Sequence, residues 1–110
     1  MRIKVIAEAG VNHNCDIQIA FKLVDVAIDS GADVIKFQTA VPEEVVTQKG
    51  EMAKYQIKNM GNEETQLEMT KRIHFDLSTF KEIYDYSKKK GIDFCSTSFG
   101  DTSTKFLSMF

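Results

Sequence analysis

The sequence has 110 residues, but it contains no tryptophan, one proline and only two cysteines. Cys15 and Cys95 stand far apart and form neither a CxxC pair nor a zinc-binding spacing. The cysteines therefore indicate neither a metal site nor a disulfide framework. We expect both to be reduced thiols in a cytoplasmic protein, with a single disulfide as the alternative.

Long apolar runs and a strong charge of one sign are also missing. No segment approaches the roughly 18 apolar residues of a membrane-spanning helix. The N-terminal MRIKVIAEAG does not have the pattern of a signal peptide. A net charge of −2 gives no electrostatic reason to bind nucleic acid or an anionic membrane. With 43% hydrophobic and 27% charged residues, the composition is typical of an ordinary globular protein.

The common phosphate-binding and nucleophile motifs are absent as well. The sequence contains no GxGxxG, no GxxxxGK[ST] and no GxSxG. A nucleotide-binding function therefore has little support, and a site must be sought in the order of the segments.

Apolar periodicity divides the chain into alternating strands and helices. They are strands at 3–9, 32–38 and 92–98, helices at 16–30, 63–72, 77–90 and from 102 onward, and a short helical turn at Pro42. The order is β-α-β-(helical insert)-α-β-α, which favours parallel strands with right-handed crossovers. Three such strands cannot close a barrel, so we expect an N-terminal part of a longer barrel or sheet. A small three-stranded domain is the alternative.

Short polar residues mark where the helices begin. Asn14 or Asp16 can cap the first helix, Asn62 the helix at 63–72, and Asp76 or Ser78 the helix at 77–90. These residues accept hydrogen bonds from the free N–H groups of a first helical turn, so capping explains them without a ligand.

Each predicted strand is apolar first and polar last. The strands end in Glu8, in Lys36 and Gln38, and in Ser96 and Thr97. Because the carboxyl ends of parallel strands meet at one edge, we expect a polar pocket there. A structural ion pair between Glu8 and Lys36 on neighbouring strands is an equally good interpretation.

The residues after the first strand have less specific interpretations. Asn12 and Asn14 are good turn residues, and a lone histidine such as His13 more often orients a loop than binds a metal. Cys95 has the same strand parity as Thr97 and is expected on the same face.

Four segments, taken together, resemble a known family. IAEAGVNHNCD, GADVIKFQT, YQIKNMGNEETQLEM and FCSTSF resemble, in order, the successive motifs of the sialic acid synthases. The resemblance covers essentially the whole chain and implies that residues 1–110 are the N-terminal part of a (β/α)8 TIM barrel. The rest of the barrel and any antifreeze-like domain would lie outside this sequence.

The resemblance implies an enzyme that condenses phosphoenolpyruvate with an N-acetylmannosamine-type sugar, giving a nine-carbon 2-keto acid and phosphate. A legionaminate or pseudaminate-type sugar is the alternative within the family. A stand-alone, non-catalytic anion-binding module is the alternative outside it. A Mn²⁺ or Mg²⁺ ion is implied, with ligands beyond residue 110, and so is a homodimer of the full-length protein. The 110 residues alone are expected to be inactive.

The resemblance also implies roles for residues that match its motifs. Glu8 corresponds to a catalytic glutamate near the reacting carbons. Lys36 corresponds to a catalytic lysine that binds the phosphoenolpyruvate carboxylate or phosphate, and Thr97 to a hydrogen-bond donor to the same substrate. Gln38 would line the pocket and Asn62 would contact the sugar.

Two further residues, Asn12 and His13, are expected to shape the loop over the pocket. Two departures from the family pattern bear on loop geometry. Cys15 stands where the family usually has glycine, and Ser98 stands where it has proline. If the glycine position requires a positive φ, a cysteine there is strained.

Overall fold

The computed structural model describes residues 2–46 and 65–110. Within these ranges the chain forms strands β1 (Ile6–Gly10), β2 (Val34–Ala40) and β3 (Asp93–Phe99). The helices are α1 (Ile17–Asp29), α2 (Pro42–Val45), α3 (Gln66–Ile73), α4 (Leu77–Lys90) and α5 (Asp101–Leu107). The predicted order of elements is confirmed.

The first strand starts three residues later than the predicted residue 3. Ile3 and Val5 are apolar but lie exposed outside the sheet ladder. The Val5 N–H donates to the Asp33 carboxylate at 2.8 Å, and Asp33 N–H donates back to the Val5 carbonyl at 2.9 Å. An aspartate side chain, which the apolar pattern does not reveal, thus satisfies the backbone that the prediction assigned to a strand.

The three strands form one parallel sheet in the order β1-β2-β3. Glu8 pairs with Lys36, and Lys36 pairs in turn with Cys95 on β3. Gln38, two residues after Lys36 and therefore on the same face of β2, pairs with Thr97. The register therefore places these polar residues side by side. They are not the strand ends that the sequence predicted, because β2 and β3 run on in their ladder to Ala40 and Phe99.

One face of the sheet packs against α1 and α4. Ile35 and Phe37 point to that face and are 2% and 0% exposed, and they share a core with Val24 of α1 and Phe80 and Ile83 of α4. Each such side chain stabilises the fold by about 1.5–3 kcal/mol when fully buried. Since side chains alternate along a strand, Lys36 and Gln38 point to the opposite face.

Helix caps follow the sequence closely. Asp16 caps α1 and Asp76 caps α4, each accepting from N–H groups of the first turn. The helix predicted over 63–72 begins later than expected, because α3 starts at Gln66 with Thr65 as its N-cap in place of the predicted Asn62, and Glu68 completes a capping box. Asn62 lies outside the described residues. In the described part of the chain, no helix is long and apolar enough to cross a membrane.

Candidate functional site

The sheet face opposite α1 and α4 carries the polar side chains of the three strands. We call it the inner face and define it by Glu8 on β1, Lys36 and Gln38 on β2, and Cys95 and Thr97 on β3. Neighbouring parallel strands lie about 4.8 Å apart, so paired residues on this face are side-chain neighbours. The sequence alone could place these residues at one edge, and the register now places them in two adjacent rows.

We call the row of Glu8, Lys36 and Cys95 the lower row, and Glu8 and Lys36 form an ion pair within it. Lys36 Nζ lies 3.1 Å from Glu8 Oε2, and the side chains are 35% and 47% exposed, respectively. A pair this exposed contributes between about zero and 1 kcal/mol to stability, because water screens it. The pair is therefore a weak structural link that leaves both charged groups accessible.

Gly10 makes room for the side chains above this pair. Its φ is +54°, and a Cβ at this position would lie 3.2 Å from Glu8 Oε1 and 3.6 Å from Gln38 Nε2. The register of β1 with β2 is irregular between Glu8 and Gly10. Glu8 and Gln38 can thus converge on one point because no side chain stands between them. This role of Gly10 is not among the sequence predictions, although a glycine within a strand, two residues after Glu8, is a signal for it.

Gln38 and Thr97 form the upper row. They are register partners on β2 and β3, with Gln38 half-buried and Thr97 exposed. An amide and a hydroxyl supply neutral hydrogen-bond donors next to the charged row. Together the two rows offer one cation, one carboxylate and neutral donors on one accessible surface, which suits an anionic ligand with a reacting centre beside it.

The loop after β1 is built around a buried histidine. His13 is 0% exposed, and its ring stacks on Phe75 with centroids 4.1 Å apart. Its Nδ1 accepts a hydrogen bond from the Cys15 N–H at 3.0 Å, so the neutral ring carries its proton on Nε2. Burial, and to a lesser extent the nearby His74, lowers the pKa of His13 to about 4. Asn12 is exposed, and its N–H donates to the Ala9 carbonyl at 3.0 Å.

Cys15, which stands where the family usually has glycine, adopts a positive φ and is therefore strained. Its φ is +60°, and that of Asn14 is +50°. The Cys15 thiol donates to the His74 carbonyl at 2.8 Å, which joins the loop after β1 to the segment between α3 and α4. Burial, followed by the charge of Asp76, raises the pKa of this thiol. A raised pKa disfavours the thiolate, so Cys15 is a poor nucleophile in this setting.

The Thr104 hydroxyl donates to the Gly100 carbonyl at 2.8 Å. Its oxygen is also hydrogen-bonded to Ser98 Oγ, 2.8 Å away. The serine that replaces the family's proline therefore links the end of β3 to α5.

The described residues do not supply a metal centre. Within residues 2–46 and 65–110, no group of three or more His, Cys, Asp or Glu side chains is placed to hold an ion. His13 in particular has its Nδ1 engaged with the backbone and its ring among phenylalanines. The expected divalent metal therefore does not fit this part of the chain.

Known proteins resemble the chain over nearly its whole length. It is 43% identical to the N,N'-diacetyllegionaminic acid synthase of Campylobacter jejuni, over 94% of this chain and 31% of that protein. It is 42% identical to the synthase of the same name from Legionella pneumophila, over 94% of this chain and 29% of that protein. The chain thus spans about a third of the length of these relatives.

A solved structure has the same fold. The N-acetylneuraminic acid (sialic acid) synthetase of Leptospira borgpetersenii serovar Hardjo-bovis, in complex with citrate, matches with a TM-score of 0.77 and 28% identity. The match covers 99% of this chain and 33% of that structure. It confirms the predicted fold class, a β-α-β-(helical insert)-α-β-α portion of a (β/α)8 barrel.

A protein-family model also matches the chain. The model of the NeuB family matches residues 23–110, which is most of the chain and includes β2, β3 and four of the inner-face residues. With the sequence relatives and the common fold, this match confirms the resemblance to the sialic acid synthases. The chain belongs to the NeuB family.

Proposed function

We propose that the protein carrying this chain condenses phosphoenolpyruvate with an N-acetylated mannosamine-type sugar to give a nine-carbon 2-keto acid and phosphate. The observation that supports this is the inner face itself. A lysine, a carboxylate 3.1 Å from it, an amide and a hydroxyl lie on one face of three parallel strands. Gln38 and Thr97 lie in the carboxyl-terminal halves of β2 and β3, toward the edge at which parallel α/β enzymes build their sites.

Lys36 is the residue that would hold phosphoenolpyruvate. Its ammonium has three donors, so it can keep the bond to Glu8 and still bind a carboxylate or phosphate oxygen. The Thr97 hydroxyl, one row higher on the neighbouring strand, would donate a second hydrogen bond to the same substrate. Gln38 lies beside Thr97 and would line the pocket.

Glu8 would act at the reacting carbons. Bond formation makes the former enol carbon electron-poor, and a carboxylate nearby can stabilise that charge or deprotonate the attacking water. A carboxylate this close to an anionic substrate would repel it without a cation between them. The ion pair to Lys36 supplies that cation, which explains why the two charges occupy paired positions.

The names of two relatives indicate which type of sugar the enzyme would use. Two proteins that are 43% and 42% identical to this chain are both named N,N'-diacetyllegionaminic acid synthases. Their names favour a substrate with two acetamido groups over N-acetylmannosamine itself. Asn62, which we propose as a sugar contact, lies outside the described residues.

The metal ion, the oligomeric state and the location are proposed for the whole protein that carries this chain. A Mn²⁺ or Mg²⁺ ion, with ligands beyond residue 110, is expected from the family. When bound, it would polarise the aldehyde oxygen of the sugar. A homodimer and a cytoplasmic location are expected from the family. Asn12 and His13 would keep the loop after β1 in shape beside the pocket.

Phosphate release tests the proposal. The full-length protein would be incubated with phosphoenolpyruvate, Mn²⁺ and either N-acetylmannosamine or a mannose-type sugar with two acetamido groups. We expect phosphate only when a sugar is present, and faster release with the diacetylated sugar. Faster release with N-acetylmannosamine would reverse the choice of sugar. No release with either sugar, from a protein that binds phosphate ions, would favour the non-catalytic anion-binding alternative.

A further inference from the structure

The loops that follow β2 and β3 are joined by one side chain. After β2 the chain enters α2, and after β3 it passes through Gly100 into α5. Glu44 of α2 accepts a hydrogen bond from the hydroxyl of Thr102 in the first turn of α5. This contact bridges residues 58 positions apart in sequence and lies at the carboxyl ends of the two strands that carry Gln38 and Thr97.

Gly100 is shaped to receive the Glu44 carboxylate. Its φ is +101°, and a Cβ there would lie 3.1 Å from Glu44 Oε2 and 3.7 Å from Glu44 Cβ. One carboxylate oxygen therefore bonds to Thr102 while the other lies where a side chain of residue 100 would be. The Thr102 hydroxyl and the absence of a side chain at Gly100 thus both accommodate the Glu44 carboxylate.

The turn after β3 is also tied to the strand that precedes it. The Thr104 and Ser98 hydroxyls are hydrogen-bonded to each other at 2.8 Å, and the Ser103 hydroxyl donates to the Phe99 carbonyl at 3.0 Å. Ser98 directly follows Thr97. A displacement of this turn would therefore be transmitted to the Thr97 hydroxyl, one residue away from the tied position.

We propose that Glu44 is a positioning residue, which holds the turn after β3 against α2 and so fixes Thr97 relative to Lys36 and Gln38. The catalytic part of this inference rests on the proposed function, in which Thr97 and Lys36 bind phosphoenolpyruvate. Glu44 itself touches no inner-face residue through the contacts described above, so it acts through Thr102 and Gly100.

The neighbouring residue offers a matched control. Glu43 lies on the same short helix and pairs with Lys71 of α3 at 3.1 Å, with both side chains about half exposed. Replacing Glu43 by alanine removes the same charge and an exposed ion pair, but it leaves the turn after β3 untouched. A difference between Glu43→Ala and Glu44→Ala therefore reports on the contact with Thr102 and Gly100.

The first readout needs no substrate. Hydrogen–deuterium exchange would be measured in the full-length protein on peptides that cover residues 97–105. We expect Glu44→Ala and Thr102→Val to speed exchange in this segment about tenfold, the effect of losing one charge-assisted hydrogen bond. Glu43→Ala and Thr102→Ser, which retains the hydroxyl, should leave it unchanged. Equal effects of Glu43→Ala and Glu44→Ala, or no effect of Glu44→Ala, would overturn the proposal.

The second readout is the split between KM and kcat. If Glu44 positions Thr97, Glu44→Ala and Thr102→Val raise the KM for phosphoenolpyruvate about tenfold and change kcat less than about twofold, because ground-state binding weakens. Thr102→Ser should restore the wild-type KM. Faster exchange with an unchanged KM would show a merely structural contact and overturn the positioning role. Absence of phosphate release from the wild-type protein would instead overturn the proposed function, and the exchange comparison would still decide the contact.

Discussion

The Lys36 ammonium lies 3.1 Å from the Glu8 carboxylate, and the two residues occupy paired positions on β2 and β1. Both side chains are partly open to solvent, so the pair stabilises the fold by at most about 1 kcal/mol. Such a small contribution does not account for two charged groups at the centre of a sheet face. Their accessibility and their neighbours Gln38 and Thr97 are better explained by a binding site.

Replacing Gly10 by alanine should damage this site more than it damages the fold. The new Cβ would lie 3.2 Å from Glu8 Oε1 and at a φ of +54°, so it would both strain the backbone and displace the Glu8 carboxylate by a few tenths of an ångström. We expect a loss of about 1–2 kcal/mol in the free energy of unfolding from the strain, together with a large loss of phosphate release.

Gly31→Ala is the matched control for Gly10→Ala. Gly31 has a φ of +83°, but a Cβ there would meet nothing within 4 Å. Its free energy of unfolding, measured by urea denaturation, should fall by a similar amount while the specific activity of the folded protein stays unchanged. Similar activities of the two variants would show that the space above Glu8 is unimportant.

Substitutions at Cys15 should separate backbone strain from the thiol hydrogen bond. Alanine keeps the strain at φ +60° and removes the bond to the His74 carbonyl, whereas glycine removes both. We therefore expect Cys15→Ala to be less stable than Cys15→Gly by about 1 kcal/mol. Urea denaturation measures the difference, with Cys95→Ala as the control in an extended strand. Cys15→Ala more stable than Cys15→Gly would contradict the strained conformation.

Acid should destabilise the protein through His13. Burial lowers its folded-state pKa to about 4, below the ordinary value of 6.5, so the unfolded chain binds a proton first as the pH falls. The contribution is therefore complete above pH 6.5 and is lost between pH 6.5 and pH 4. From pH 7.5 to pH 5.0 we expect a loss of about 2 kcal/mol from this residue.

The comparison that isolates His13 is with His13→Phe, whose ring can still stack on Phe75. Burial also lowers the pKa of His74, so both proteins should lose some stability in acid. The wild type should lose more. Equal losses in urea denaturation at the two pH values would show that His13 is not buried in its neutral form.

Much of the fold was predictable because its signals are local. The apolar faces of α1 and α4 and the caps Asp16 and Asp76 depend on neighbouring residues only, and the structure retains them. The start of β1 was misplaced because it depends on Asp33, 28 residues away from Val5. Sequence patterns do not reveal which distant side chain will bind a backbone group.

The contacts of the candidate site between distant parts of the chain were likewise not predictable from the sequence. Strand parity places Cys95 and Thr97 on one face, and the polar residues late in each predicted strand predict a shared pocket. Neither fixes the pairing of Glu8 with Lys36, which the sequence leaves as one of two interpretations. The contact between Glu44 and Thr102 joins two loops and has no local pattern at all. Long-range register and loop contacts therefore had to come from the structure.

Lys36 binds phosphoenolpyruvate at the inner face in the proposed reaction, and this role is measured by the rate of phosphate release from Lys36→Ala. Lys71→Ala is the control, since Lys71 is an exposed lysine that also lies 3.1 Å from a glutamate oxygen. We expect both variants to lose less than about 1 kcal/mol of stability. Phosphate release should fall by at least about 100-fold in Lys36→Ala alone. Wild-type release from Lys36→Ala under saturating sugar would show that Lys36 does not bind the substrate.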